Sequence, residues 1–329
     1  MRFLKRFQTP TIGLYVLSMI LFVGLWVLSI YSGNAREEEA FLFLNQFTLF
    51  TLSPLWSHII QGLVLILLWV GVTRYFEMKE FLPVRSAIPF FVGLLLTLCM
   101  PCLWYFNHHT FAFILFVMAL VGFQELNTDP IPLSAAFNVG LLMTVAALFN
   151  ANYWILLPIF IIGIFVYRLY NIRLLGAVLF GICVPLFIVF SIAFLIDQVS
   201  VVSHLIWKLE FFDFSQGVNL QIADWIIFIF FALLCIISLL SYYTASSGYK
   251  LNVRLNFKFS TLSLLYILAW IVLFLPDYQS HIMCLIVFIN MLLSLYFTLV
   301  RNKLSHVLFL LFVLVCIVVN LSNIWSYSN

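Results

Sequence analysis

Long apolar runs separated by short polar breaks dominate the chain. Eleven of them read as membrane-crossing helices, over 11–31, 55–73, 88–106, 110–124, 133–149, 152–167, 174–196, 225–243, 260–275, 282–300 and 304–325. None alternates polar and apolar positions along its length as a barrel strand would. Backbone in lipid must satisfy its own hydrogen bonds, so helices are the structure that fits. The expectation is an all-α polytopic transmembrane bundle forming a single integral membrane domain over 1–329. The runs between 110 and 167 are the shortest against the ~20 residues that a straight crossing needs.

Three segments between the runs carry patterns of their own. Residues 37–54 begin with charge and continue as "AFLFLNQFTLFTLSP", an uncharged stretch too short to span, which predicts an interfacial or re-entrant helix. In 198–224, Val201, Val202, Leu205, Ile206 and Leu209 recur at helical spacing while His204 and Lys208 share another face. That spacing predicts an amphipathic surface helix over 200–214. In 249–260, Leu251, Val253, Leu255, Phe257 and Phe259 alternate with Lys250, Asn252, Arg254, Asn256 and Lys258. A period of two predicts an extended basic strip lying on the inner leaflet.

Composition identifies the solvent. Hydrophobic residues make up 65% of the chain and charged residues 8%, more apolar surface than a water-soluble fold can hide. Orientation follows from Lys and Arg. With the N-terminus in the cytoplasm, only Arg36 and Lys208 of the 15 basic residues fall outside, and an odd number of spans then puts the C-terminus outside. The first apolar run is too long for a cleaved signal and is expected to remain as an anchor. The net charge of +3 reflects this topology rather than a nucleic-acid surface.

Titratable chemistry gathers on the outer face in this orientation. Glu37, Glu38 and Glu39 follow the first run, and His58, His108, His109, His204 and His281 lie in outer loops or at outer helix ends. One reading is that outer loops must be polar yet avoid Lys and Arg. The sharper one is an extracytoplasmic active site between helix ends, with 37–54 and 200–214 flanking its mouth and carboxylate and imidazole as base and acid. Cys99 and Cys102 in "CMPC" have redox spacing, but no second mobile thiol pair accompanies them. No protein metal site is expected, because Cys99, Cys102, His108 and His109 would have to converge across a tight loop. No ionisable residue sits near a span centre, and neither GxxxxGK[ST] nor GxGxxG occurs.

The segment 135–190, with its asparagine-bearing helix, its Asn150–Asn152 hairpin and its Arg-bracketed turn, resembles a family of bacterial multispan inner-membrane proteins without an assigned activity. That resemblance implies a multi-pass protein of the bacterial inner membrane. The E-x-E of Glu37 and Glu39 after the first helix is similar to the acidic motif of GT-C-type glycosyltransferases that use polyprenyl-phosphate-linked sugars. The similarity implies Glu37 and Glu39 as catalytic carboxylates, deprotonating an acceptor hydroxyl or positioning a divalent metal. It implies Arg36, His58, His108, His109, His204 and Lys208 as substrate-binding groups for a lipid phosphate. The soluble outer domain that many such enzymes carry is absent from this sequence. The rival expectation is a non-catalytic membrane subunit docking a protein partner in an envelope-assembly complex, and a passive transporter comes third. Membrane lipid is a partner in every case.

Overall fold

The computed structural model describes residues 12–32, 39–43, 47–78, 82, 85–127, 132–206, 222–245, 248–273, 278–300 and 303–328. Helix α1 (Ile12–Ser32) is followed by strands β1 (Glu39–Phe43) and β2 (Phe47–Leu52), and then by α2 (Pro54–Met78), α3 (Ile88–Leu98), α4 (His108–Glu125) and α5 (Leu133–Phe149). The chain continues through α6 (Leu157–Tyr167), α7 (Ile172–Leu195), α8 (Val199–Ile206), α9 (Ile222–Ala245), α10 (Leu251–Leu273), α11 (Tyr278–Leu299) and α12 (Lys303–Ser328). Short 3-10 helices at Pro101–Leu103 and Ala151–Leu156 extend the ends of α3 and lead into α6.

Among the described residues, six helical stretches are long and apolar enough to cross a membrane: Gly13–Ile30, Pro54–Met78, His108–Glu125, Ile172–Leu195, Ile282–Leu299 and Lys303–Trp325. Ile88–Leu98, Leu133–Phe149, Ala151–Tyr167 and Ile229–Tyr243 are shorter apolar helical stretches. The molecule is a helical, multi-pass membrane protein.

Local chemistry sets the helix ends. Pro101 cannot continue α3, which stops at Leu98. Asn107 caps α4 by accepting a hydrogen bond from the Thr110 amide at 3.0 Å, and Asn171 caps α7 in the same way through Arg173 N. Helix α6 ends on Arg168, whose φ of 58° is left-handed.

Helix α11 is the axis of the bundle. Its Ile282–Leu299 stretch is 94% buried, against α3, α4, α9, α10 and α12. Helix α7 lies at the other extreme, with 17% of its crossing segment buried, and it packs chiefly on α5. Gly140 and Gly181 make that crossing close: a Cβ at Gly140 would strike the Val178 carbonyl, and one at Gly181 the Phe137 carbonyl.

Two expectations are corrected. The stretch predicted as an interfacial or re-entrant helix is an antiparallel hairpin, pairing Glu39 with Leu52 and Phe43 with Phe47, with an irregularity between Phe41 and Leu42. Phe and Thr dominate Phe47–Leu52, and such residues favour a pleated backbone, whereas eleven strand residues lack the length that makes a helix stable alone. The basic strip expected to be extended opens α10 instead. Val253, Asn256, Phe257 and Ser260 are buried there at helical spacing, while Arg254 and Lys258, one turn apart, are exposed. The same letters satisfy a period of two and a period of 3.6, and neighbouring α6 and α11 decide between them.

Candidate functional site

The hairpin runs into α2 through Ser53, and β1 contacts α4 and α5, so the first loop sits at one end of the bundle. We refer to this as the hairpin end. Ser57 Oγ donates to the Phe106 carbonyl at 3.0 Å and Phe106 N donates to the Ser57 carbonyl at 3.3 Å, which ties the start of α2 to the turn before α4. The joint places His58 next to that turn.

His58 is 1% exposed. Its ring stacks on Trp26 of α1 with centroids 4.5 Å apart and meets Tyr105 edge-on at 5.4 Å. Ser29 Oγ donates to the Trp26 carbonyl at 2.7 Å, so the contacts of His58 Nε2 to that carbonyl at 3.2 Å and to Ser29 Oγ at 3.1 Å are donations from Nε2–H. Trp26 Nε1 in turn donates to the His58 carbonyl at 3.3 Å. His58 therefore locks α1 to α2, and a ligand would reach it only by displacing Trp26 or Tyr105.

The next pair is differently placed. The rings of His108 and His109 lie 3.9 Å apart at the start of α4. Asn150, at the end of α5, has its Oδ1 fixed by the Asn152 amide at 3.0 Å, which turns Nδ2 toward His109 Nδ1 at 2.9 Å. Nδ1 then accepts, and the proton of neutral His109 resides on Nε2. His109 is half-buried, while His108 is buried at 9% exposure and its Nδ1 has no hydrogen-bond partner among the described residues.

Helix α8 closes another side of the same end. Val202 and Ile206 pack with Leu148, two residues before Asn150, and with Ala193 of α7, with Trp154 and Phe190 against them. Of the apolar face expected over 200–214, Val202 and Ile206 turn to the protein and Val201 is exposed. Residues 207–214 lie outside the described residues.

The predicted site residues thus fall into three groups. His108 and His109 meet each other and Asn150; His58 is held in the adjoining α1–α2 joint; Glu39 and His204 are placed by their backbones, on β1 and α8, both of which flank the end of α5. Arg36, Glu37 and Lys208 lie outside the described residues. Trp26, Ser29, Tyr105 and Asn150 complete the arrangement and went unassigned from the sequence. Asn150 alone left a trace, as a polar residue in the tight "FNANY" connection.

Cys99 does not belong to this group. Its Sγ donates to the Cys316 carbonyl on α12 at 3.7 Å, and Asn320 and Asn323 hold the Leu98 and Cys99 carbonyls at 3.0 and 3.2 Å. Among the described residues no three His, Cys, Asp or Glu side chains are grouped to hold a metal ion. No protein-family model, curated protein or solved structure matches the chain.

Proposed function

We propose that the chain is a GT-C-like enzyme of the bacterial inner membrane, acting on a polyprenyl-phosphate-linked sugar at the extracytoplasmic face. In this reading all eleven apolar runs cross the bilayer, the N-terminus is cytoplasmic, the C-terminus extracytoplasmic, and the hairpin end faces out. The observation that carries it is convergence: the strand holding Glu39 contacts α4 and α5, His109 at the start of α4 meets Asn150 at the end of α5, and helix α8 packs beside Leu148.

The chemistry assigned to this end is glycosyl transfer. A carboxylate of the Glu37–Glu39 motif takes the proton of the acceptor hydroxyl, the acceptor oxygen bonds to the anomeric carbon, and the bond from that carbon to the phosphate oxygen breaks. The departing phosphate keeps the electron pair, and donors such as His109 Nε2–H together with Arg36 and Lys208 offset its charge. A divalent metal, where bound, would be held by Glu37 and Glu39 and would supply Lewis-acid stabilisation of the phosphate charge.

Glu37→Gln and Glu39→Gln test the reading. Each removes a base while preserving size, so transfer from a polyprenyl-phosphate sugar to a lipid or glycan acceptor is expected to fall by about 10²-fold or more at unchanged abundance. Full activity in both variants would discard the carboxylate mechanism. A co-purifying protein kept in both variants, with no transfer activity in wild type, would favour the non-catalytic subunit.

A further inference from the structure

Residues 225–276 contain no aspartate or glutamate, yet the turn before α10 and its first two turns carry Lys250, Arg254 and Lys258. A helix start is the positive end of the macrodipole, where acidic side chains stabilise and basic ones do not. Helix α10 has no acidic residue in its first turn. Neither α9 nor α10 supplies a carboxylate to offset the charge collected there after residue 224.

The fold turns this charge toward lipid. Leu251, Arg254, Lys258, Leu262 and Leu265 advance by three or four residues along one stripe of α10, and all five are exposed. The opposite face, with Val253, Asn256 and Phe257, is buried where α10 packs on α6 and α11. Helix α11 carries a membrane-crossing stretch, so exposed leucines on a helix packed against it face lipid. Arg254 and Lys258 share their stripe, within about 11 Å of the start of α10. A cation so placed needs an anion or an open route to water.

Aromatic side chains set the depth. Tyr242 of α9 stacks on Phe257 with ring centroids 3.5 Å apart and on Tyr249 at 5.8 Å, while Tyr243 meets Phe257 edge-on at 6.4 Å. Tyr243 is 68% exposed, and a tyrosine at the end of a membrane helix belongs at the headgroup level. Phe257 lies one turn from Arg254 and next to Lys258, which puts both cations at that level. Tyr242 is buried, and its hydroxyl, within electrostatic reach of Arg254, has no hydrogen-bond partner among the described residues. Tyr167, the last residue of α6, donates to Asn256 Oδ1 at 2.7 Å, so this turn is at the end opposite the hairpin.

We propose that the α9–α10 turn docks one anionic phospholipid. Its phosphodiester is held by the Arg254 guanidinium and the Tyr242 hydroxyl with Lys258 one turn further on, and its acyl chains run along Leu262 and Leu265. The match is one of charge. Arg and Lys take a phosphate, whereas the amine of a zwitterionic headgroup meets no carboxylate on these two helices. The leucines favour a lipid over free phosphate, because they continue the basic stripe into the hydrocarbon. The proposal stands apart from the glycosyl-transfer reading.

The test is native mass spectrometry of the full chain, delipidated in mild detergent and titrated with phosphatidylglycerol or with phosphatidylcholine of the same acyl chains. Wild type is expected to bind one phosphatidylglycerol about tenfold more tightly than phosphatidylcholine. Arg254→Gln, at an exposed position, and Tyr242→Phe, which keeps the ring stack, should each lower that preference about fivefold. Lys303→Gln is the control, an exposed cation starting α12, which packs on α1 and α3; it should leave the preference unchanged. Equal losses in Arg254→Gln and Lys303→Gln mean diffuse attraction and overturn the site. So does an unchanged preference in Arg254→Gln or Tyr242→Phe. Displacement of the lipid by millimolar inorganic phosphate overturns the assignment to a phospholipid.

Discussion

Replacing Gly140 with alanine adds one methyl group where two helices have no space for it. The new Cβ would strike the Val178 carbonyl and lie 3.2 Å from Ile182 N, all of it backbone of α7. A side chain can rotate away from a methyl, but a helix backbone must move as a body, so α5 and α7 part along their whole crossing. Overpacking of this kind costs about 1–3 kcal/mol. Little else holds α7, of whose crossing segment 17% is buried. Gly24→Ala is the control: nothing lies within 4 Å of its added Cβ, and helix propensity alone should stabilise by up to about 1 kcal/mol. Thermal unfolding followed by a thiol-reactive dye suits both in a Cys183→Ser background, because Cys183 is exposed whereas Cys99, Cys235, Cys284 and Cys316 are buried and react on opening. Gly140→Ala is expected to unfold first, and Gly140→Ala with Gly181→Ala to lose less than the sum, since both wedge open the same crossing. A Gly140→Ala protein as stable as Gly24→Ala would refute the close-packed crossing.

Three other substitutions follow from the same geometry. His58→Phe keeps the stack on Trp26 but loses the Nε2 donation to the Trp26 carbonyl; it should destabilise by about 1 kcal/mol in the same dye assay, and no loss would mean that the α1–α2 joint does not depend on the imidazole. Arg168→Gly relieves a left-handed residue and should stabilise by up to about 1 kcal/mol, whereas Arg168→Val should destabilise; the reverse order would contradict the φ of 58°. Asn320→Leu removes the donor to the Leu98 carbonyl and should cost about 0.5–1.5 kcal/mol, measured as a lower unfolding midpoint.

Helix positions were legible because membrane insertion writes them as unbroken apolar runs. Each of the eleven runs is helical in whole or in large part, and Pro101, Asn107 and Asn171 mark ends that sequence chemistry alone accounts for. Pairing was not legible. "AFLFLNQFTLFTL" could close a hairpin or lie flat as a helix, and only the partner strand decides. The opening of α10 fits two periods, and burial of Val253 and Phe257 against other helices selects one. Within the candidate site, sequence placed His108 and His109 together because they are neighbours in the chain. Asn150 reaches His109 from 41 residues away, through a contact that depends on where α5 ends.

The central claim is that the hairpin end receives a polyprenyl-phosphate-linked substrate. Its most direct test is native mass spectrometry of the protein purified in mild detergent, reading what stays bound. A retained polyprenyl-phosphate species, lost in Asn150→Ala and kept in the Glu37→Gln and Glu39→Gln variants, whose missing carboxylates act on the acceptor, is the predicted result. A stoichiometric protein partner with only bulk phospholipid would contradict it.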